Sequence, residues 1–319
     1  MRYIDVFNGD ADGICALVQL RRHEPQDAEL VTGIKRDINL LSNLYVASDD
    51  HITVLDISLE KNVVDVKRLL ESGAEIFYAD HHNTGELIEH ENLTTYIDQS
   101  TTTCTSLIID NYLQGKYRTW AITAAFGDNL TAVATQLAKE HGLSEVETEA
   151  LQALGTYLNY NGYGSSVEDL FFHPVELYQQ CVAFDSPFDF MANNPSVFNT
   201  LSQGYQQDMA LAEKVRPYHV TDNAAVILLP DEKWARRVSG VYGNELASRY
   251  PERAHAIVTN KDADHYLISV RAPRLRETGA DEVVRQFPTG GGRKAAAGIN
   301  ALPKNCLDDF IVALERQYH

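Results

Sequence analysis

In four places this sequence sets carboxylates or imidazoles directly after an apolar run. They are Asn8-Gly9-Asp10-Ala11-Asp12-Gly13, Asp56, Asp80-His81-His82-Asn83, and Asp128 in Phe126-Gly127-Asp128-Asn129. Four or five carboxylates and an imidazole gathered at one point repel one another unless cations neutralise them. An oxygen and nitrogen donor set without thiolate favours Mn²⁺ or Mg²⁺ over structural zinc. Taken singly each signal is weak, because an Asp after a strand commonly caps the next helix and Asn8 to Gly13 reads equally as an ordinary turn. Two adjacent histidines after an aspartate resist that explanation, since a structural role needs neither ring. Their conjunction with the other three points to metal-assisted chemistry. A second grouping, Gly290-Gly291-Gly292-Arg293-Lys294, suits an anion: successive glycine N–H groups form a nest and the two cations flank it. Arg271, Arg274 and Arg276 lie close by in sequence, and the last two read equally as solvated surface charges.

The elements that would position these groups alternate. Apolar runs at Tyr3–Phe7, Glu29–Ile34, His51–Leu55 and Ala74–Tyr78 predict strands, and helical spacing at Ile14–Arg22 and Val63–Leu70 predicts helices between them. That rhythm predicts an α/β protein with a doubly wound parallel sheet, whose ligands bind beyond the carboxyl ends of the strands. Helices are expected at Thr105–Leu113, Thr119–Phe126, Leu130–His141 and Val146–Tyr157, then loops over 159–195 with one short helix near Val175–Cys181. Tyr157 to Gly164 reads as a glycine-containing loop: its tyrosines and amides suit stacking on a base, against the plainer reading of a surface loop or interdomain seam. A helical linker at Leu201–Val215 precedes a smaller α/β part. There, strands are expected at Ala224–Leu229, Ala254–Thr259 and His265–Arg271. Helices are expected at Val238–Arg249, Asp281–Gln286 and Leu307–Gln317, with a turn at Gly290–Gly292 and packing residues at Ala295–Gly298. The domains expected are 1–195, a linker at 196–221, and 222–319.

In the order and spacing of Asn8 to Gly13, Leu55-Asp56, Asp80-His81-His82 and Gly127-Asp128, followed by Gly290-Gly291-Gly292-Arg293-Lys294-Ala295-Ala296-Ala297-Gly298, the chain resembles the DHH phosphoesterases that carry a C-terminal DHH-associated domain. The resemblance covers the whole chain. It implies two domains with the active site in the cleft between them, and hydrolysis assisted by two Mn²⁺ ions, with Mg²⁺ as the alternative. Asp10 would hold the first metal, Asp12 the second, and Asp56 would bridge them. His81 and Asp128 would complete the shell of the second metal, with His82 beside it, contacting substrate phosphate or orienting a ligand. Two such cations lower the pKa of a shared water and offset charge building on phosphorus. Asn8 stands where the family commonly has His or Asp, a poorer donor to the first metal. Arg293 replaces the His that usually follows the three glycines, and as a permanent bidentate cation it still suits phosphate. Arg271, in Ser269-Val270-Arg271-Ala272, matches the family's substrate-facing arginine. Gly290, Gly291, Gly292, Arg293 and Lys294 would join it in holding substrate.

Composition narrows the substrate. The chain has 319 residues, 44% of them hydrophobic, with 27 basic and 45 acidic side chains and a net charge of −18. Residues 222–319 hold 14 basic and 13 acidic groups, leaving 13 and 32 on residues 1–221. An acidic metal-holding part joined to a balanced, arginine-containing part fits that asymmetry. The overall charge disfavours long nucleic acid. The substrate expected is therefore a small nucleotide: a 5′-phosphorylated linear dinucleotide such as pGpG, cut to mononucleotides in cyclic-dinucleotide signalling turnover. A broader nano-RNase or pAp phosphatase, a cyclic-dinucleotide hydrolase, and a nucleotide sensor without turnover are the alternatives. Cys15, Cys104, Cys181 and Cys306 form no C-x-x-C pair, so reduced thiols are expected. His23, His51, His141 and His173 lack ligand-like neighbours. With no apolar stretch near 20 residues and no signal-peptide pattern, a cytoplasmic protein with no membrane contact is expected, as a monomer or homodimer.

Overall fold

A computed structural model describes every residue except Leu87. The chain divides into two compact units, Met1–Gln203 and Gly204–His319.

In the first unit β1 (Tyr3–Phe7), β2 (Ala28–Val31), β3 (His51–Leu55), β4 (Glu75–Asp80) and β5 (Leu93–Ile97) form a parallel sheet in the order β2-β1-β3-β4-β5. Helix α1 (Ala11–His23) lies on one face. There Phe7, Leu55 and Ala79 pack against Ile14, Leu17 and Val18. Helix α2 (Leu59–Glu71) covers the other, where Ile4, Val6, Ile52, Val54, Ile76 and Tyr78 meet Val66, Leu69 and Leu70. Burial on both faces explains why the central strands are almost wholly apolar. The doubly wound sheet expected from the β-α-β rhythm is therefore present. Register sets Phe7 beside Leu55 and Leu55 beside Ala79, so the residues that follow these strands emerge along one edge. The strand order reverses between β1 and β3, the switch point at which such sheets open a crevice. Strand β5 escapes the apolar pattern because it is an edge strand with exposed Thr94 and Thr95.

Helices α3 (Thr105–Tyr112), α4 (Arg118–Gly127), α5 (Thr131–Glu140) and α6 (Glu145–Asn161) follow. The start of α6 is fixed by a capping box in which Ser144 and Glu147 satisfy each other's backbone N–H groups. Its end differs from the expectation of a loop: α6 continues through Asn159, Tyr160 and Asn161, all buried. The short helix expected near Val175–Cys181 is α7 (Pro174–Val182), and the stretch 159–195 holds a second, unexpected one, α8 (Pro187–Asn193). Pro174 and Pro187 occupy first-turn positions, where a missing N–H costs nothing, so prolines that read as breakers begin these helices. Helix α9 (Pro195–Ala212) contains the boundary between the units.

The second unit comprises β6 (His219–Val220), β7 (Ala224–Leu228), α10 (Lys233–Arg249), β8 (Ala254–Asn260), β9 (His265–Arg271), α11 (Ala280–Val284), β10 (Gly290–Gly292), β11 (Ala296–Pro303) and α12 (Leu307–Tyr318). Its mixed sheet runs β10-β11-β9-β8-β7-β6. The glycines expected as a turn form strand β10, antiparallel to Ala297–Ile299, and the small residues expected merely to pack form the start of β11. Glycine is needed there because a Cβ on Gly290 would lie 1.8 Å from the Val284 carbonyl oxygen. Among the described residues no helix is long and apolar enough to cross a membrane.

Candidate metal centre

The turn after β1 is tightly built. A Cβ on Gly9 would lie 1.9 Å from the Gly33 carbonyl oxygen, and one on Gly13 would lie 2.2 Å from the Asn8 carbonyl oxygen. Both positions therefore require glycine, which drives Asp10 and Asp12 into the edge of the sheet. Asp10 caps α1: its Oδ1 accepts from the Asp12 N–H (3.0 Å) and the Gly13 N–H (3.2 Å). Asp12 faces the start of α3, where the N–H groups of Thr105 and Ser106 donate to its two oxygens at 2.7 Å each. A helix N-terminus is a favourable place for a carboxylate.

Asp56 follows β3 with φ of 59°, in the left-handed region that Asp tolerates better than most residues. Its N–H donates to the Ala79 carbonyl (3.1 Å) and its Oδ1 accepts from the Thr105 hydroxyl (3.3 Å). After β4, His81 Nε2 lies 3.4 Å from Asp56, 3.9 Å from Asp12 and 3.9 Å from Asp128. His82 Nδ1 is bonded to Asp80 Oδ1 at 2.7 Å. One ligand atom each from Asp56, His81 and His82 falls within a 4.8 Å span. The sheet thus brings Asp10, Asp12, Asp56, His81, His82 and Asp128 to one edge.

The electrostatics fit a divalent cation. Asp10, Asp12, Asp56 and Asp80 are each no more than 3% exposed. Burial, then repulsion from Asp12, Asp10, Asp128 and Asp80, pushes the Asp56 carboxyl well above the usual range. Burial and Asp12 raise that of Asp128 to about 6 against the opposing pull of Lys35. The hydrogen bond to Asp80 raises His82 against its burial. Asp80 Oδ2 and Asn8 Oδ1 are buried without a hydrogen-bond partner among the described residues. Buried acceptors left unpaired beside crowded carboxylates are what a bound cation would satisfy.

Several site residues lie outside the motifs. Lys35 Nζ donates to Asp10 Oδ2 (2.5 Å) and Asn159 Oδ1 (2.9 Å), and lies 3.7 Å from Asp128. Burial acts against its charge, but Asp10 overrides that and holds the ammonium well above its ordinary pKa. The sign that would have found it is positional: Lys35 follows β2 as Asp10 follows β1. Asn159 belongs to the segment expected as a loop. That segment backs the centre, with the Gly162 carbonyl accepting from the Lys35 N–H (2.8 Å). Asp80 orients His82, while Thr105 and Ser106 hold Asp12.

In the second unit Arg271 ends β9 and is pinned by α10. It donates through Nε to Asn244 Oδ1 (2.5 Å) and through Nη2 to the Gly240 carbonyl (3.3 Å). Register pairs Arg271 with Ala296, so the exposed turn carrying Arg293 and Lys294 stands beside the end of β9. In β10 the glycine backbone is an extended edge strand, which differs from the convergent nest expected of a turn.

The fold is that of the DHH-domain proteins. The exonuclease RecJ bound to manganese is similar over 99% of this chain and 89% of its own, with a TM-score of 0.63 and 15% identity. A DHH domain from a member of a family of ribosomal proteins matches over 99% and 86%, at 0.60 and 12%. The pGpG-specific phosphodiesterase PggH from Vibrio cholerae matches over 100% and 99%, at 0.59 and 15%. No protein-family model matches the chain, and no curated protein matches it.

Proposed function

We propose that the chain is a divalent-metal-dependent phosphodiesterase that hydrolyses short 5′-phosphorylated linear dinucleotides such as pGpG to mononucleotides. The observation that carries this reading is the convergence of Asp56, His81 and His82, with ligand atoms within 4.8 Å, at an edge already crowded with Asp12 and Asp128. Likeness to RecJ bound to manganese and to a pGpG-specific phosphodiesterase supports it, and favours Mn²⁺, with Mg²⁺ as the alternative. Asp56, His81, Asp12 and Asp128 would hold the ion. When bound, it supplies a Lewis acid that lowers the pKa of the attacking water and offsets charge on the phosphoryl oxygens.

The chain's own groups do the rest. Two backbone N–H groups of α3 fix Asp12, and Asp80 fixes His82 through Nδ1, leaving Nε2 to donate to a phosphate oxygen. Arg271, Arg293 and Lys294 serve as the phosphate-holding cations of the second unit, with Gly290, Gly291 and Gly292 admitting close approach. Water adds to phosphorus and the P–O3′ bond breaks; the proton given up by the water is balanced by one taken up on the leaving O3′, so one nucleotide departs with a new 3′-hydroxyl and the other carries a free 5′-phosphate. The net charge of −18 opposes binding of a long polyanion. Purified protein with Mn²⁺ should convert pGpG or pApA to mononucleotides and leave five-nucleotide strands largely intact. Degradation of the longer strands with dinucleotides untouched would overturn the substrate assignment.

A further inference from the structure

Lys35 bears on how many ions the centre takes, a question that rests on the metal-dependent reading above. The resemblance implies one metal at Asp10 and another at Asp12, with Asp56 between them. The two halves of the edge differ in what engages their carboxylates: both oxygens of Asp12 accept from backbone N–H groups, whereas Asp10 also meets a side-chain cation. On the side of Asp56 and His81, the nitrogen and oxygen donors face one another at 3.4 to 3.9 Å.

On the side of Asp10 both carboxylate oxygens are engaged. Oδ1 accepts from the N–H groups of Asp12 and Gly13, and Oδ2 accepts from the Lys35 ammonium. That ammonium is cradled. Asn159 Oδ1 accepts from it at 2.9 Å, the Tyr163 ring centroid lies 5.9 Å away, and Asp128 Oδ1 lies 3.7 Å away. The backbone of Lys35 is fixed as well, its N–H donating to the Gly162 carbonyl and its own carbonyl accepting from Asn8 Nδ2 (3.3 Å). Asn8 Nδ2 is thereby tied to the residue that supplies the cation, while its Oδ1 has no hydrogen-bond partner among the described residues.

We propose that Lys35 is the resident cation of the Asp10 position, so that the chain binds one divalent ion, on the Asp56–His81 side, and uses a tethered ammonium where a second ion would sit. A charge fixed by the chain stays in place at any metal concentration, and it confines metal dependence to a single binding event. Three neighbouring acceptors and a ring hold the ammonium without a partner from solution.

The test counts ions and does not depend on turnover. Protein equilibrated with excess Mn²⁺ and desalted is analysed for manganese per chain and by electron paramagnetic resonance. Wild type should hold one ion with the six-line spectrum of isolated Mn²⁺. Lys35→Met should hold two ions that show the broadened signal of a coupled pair. Lys35→Gln, which keeps a polar donor while removing the charge, should do the same and guards against a folding defect in the first variant. Two coupled ions in wild type would overturn the proposal while leaving the phosphodiesterase reading intact. One ion in wild type and still one in both folded variants would show that Lys35 is not what excludes the second. No bound manganese in wild type would defeat the metal-dependent reading itself, and this inference with it.

Discussion

Gly155→Ala sets two effects of opposite sign against each other. Gly155 lies on α6 where that helix crosses α4. A Cβ there would stand 2.1 Å from the Thr123 carbonyl oxygen and 3.0 Å from the Gly127 nitrogen, both backbone atoms. An ordinary carbon-to-carbonyl contact is about 3.3 Å, so the helices must part by roughly 1.2 Å. Overpacking of this kind costs about 1–3 kcal/mol and more where only backbone can yield. Alanine in a helix interior gains about 1 kcal/mol over glycine. Because both contacts are backbone, the cost falls at the upper end of that range, about 3 kcal/mol, and a net loss of about 2 kcal/mol is expected. For a unit of this size, each kcal/mol lowers the melting temperature by about 2–4 °C. The displacement also reaches the candidate metal centre, because Asp128 caps the end of α4 and α6 carries Asn159. A shift of about 1 Å in positioning groups can cost on the order of 100-fold in rate. Thermal unfolding followed by circular dichroism, paired with dinucleotide hydrolysis in Mn²⁺, reads both effects. A variant that melts at or above the wild-type temperature with full turnover would refute the close-crossing argument, because helix propensity would then have decided the outcome.

Other consequences are equally direct. Arg21 donates to both oxygens of Asp5 (2.8 and 2.5 Å), whose side chain is 1% exposed; Arg21→Met strands that carboxylate and should cost about 3–5 kcal/mol in urea unfolding, most of it recovered when Asp5→Leu is added. A double variant no more stable than the single one would contradict this. His255 is 1% exposed, and burial together with Arg253 lowers its pKa to about 4 from an ordinary 6.5. The unfolded chain therefore takes up the proton first as pH falls, so this contribution is intact above pH 6.5 and is lost towards pH 4. The loss amounts to about 3 kcal/mol. His255→Phe should flatten the stability profile over that window, and identical profiles would rule the contribution out.

Much of the site was legible in sequence because β1, β3 and β4 are buried on both faces and so announce where they end. Asp10, Asp56 and His81 follow them directly. Lys35 obeys the same rule but follows β2, in which Ala28, Leu30 and Val31 are only partly buried and Glu29 is exposed, and which ends three residues before the strand end expected at Ile34. Asn159 was hidden by local composition. Asn, Gly and Tyr in succession suit a loop, yet Leu154, Leu158 and Tyr160 are fully or almost fully buried, and that packing carries α6 through to Asn161. Asn161 then brackets the Phe172 backbone with two hydrogen bonds of 2.9 and 3.0 Å, a contact between residues eleven apart that no local pattern encodes. The same reasoning covers Gly290–Gly292. Three glycines favour a turn in isolation, and become a strand by pairing with β11, while the Val284 carbonyl leaves no room for a side chain at Gly290.

The most direct test of the central claim, that the sheet edge is a metal centre serving hydrolysis, is Mn²⁺ titration calorimetry on wild type and Asp56→Asn, with pGpG turnover measured on the same samples. Asn also tolerates the left-handed backbone of position 56, and removing one of the crowded carboxylates should raise the melting temperature of the metal-free protein. The account predicts a variant that is more stable without metal, binds Mn²⁺ far more weakly, and has lost hydrolysis. Unchanged Mn²⁺ affinity and unchanged turnover in a folded Asp56→Asn protein would contradict it.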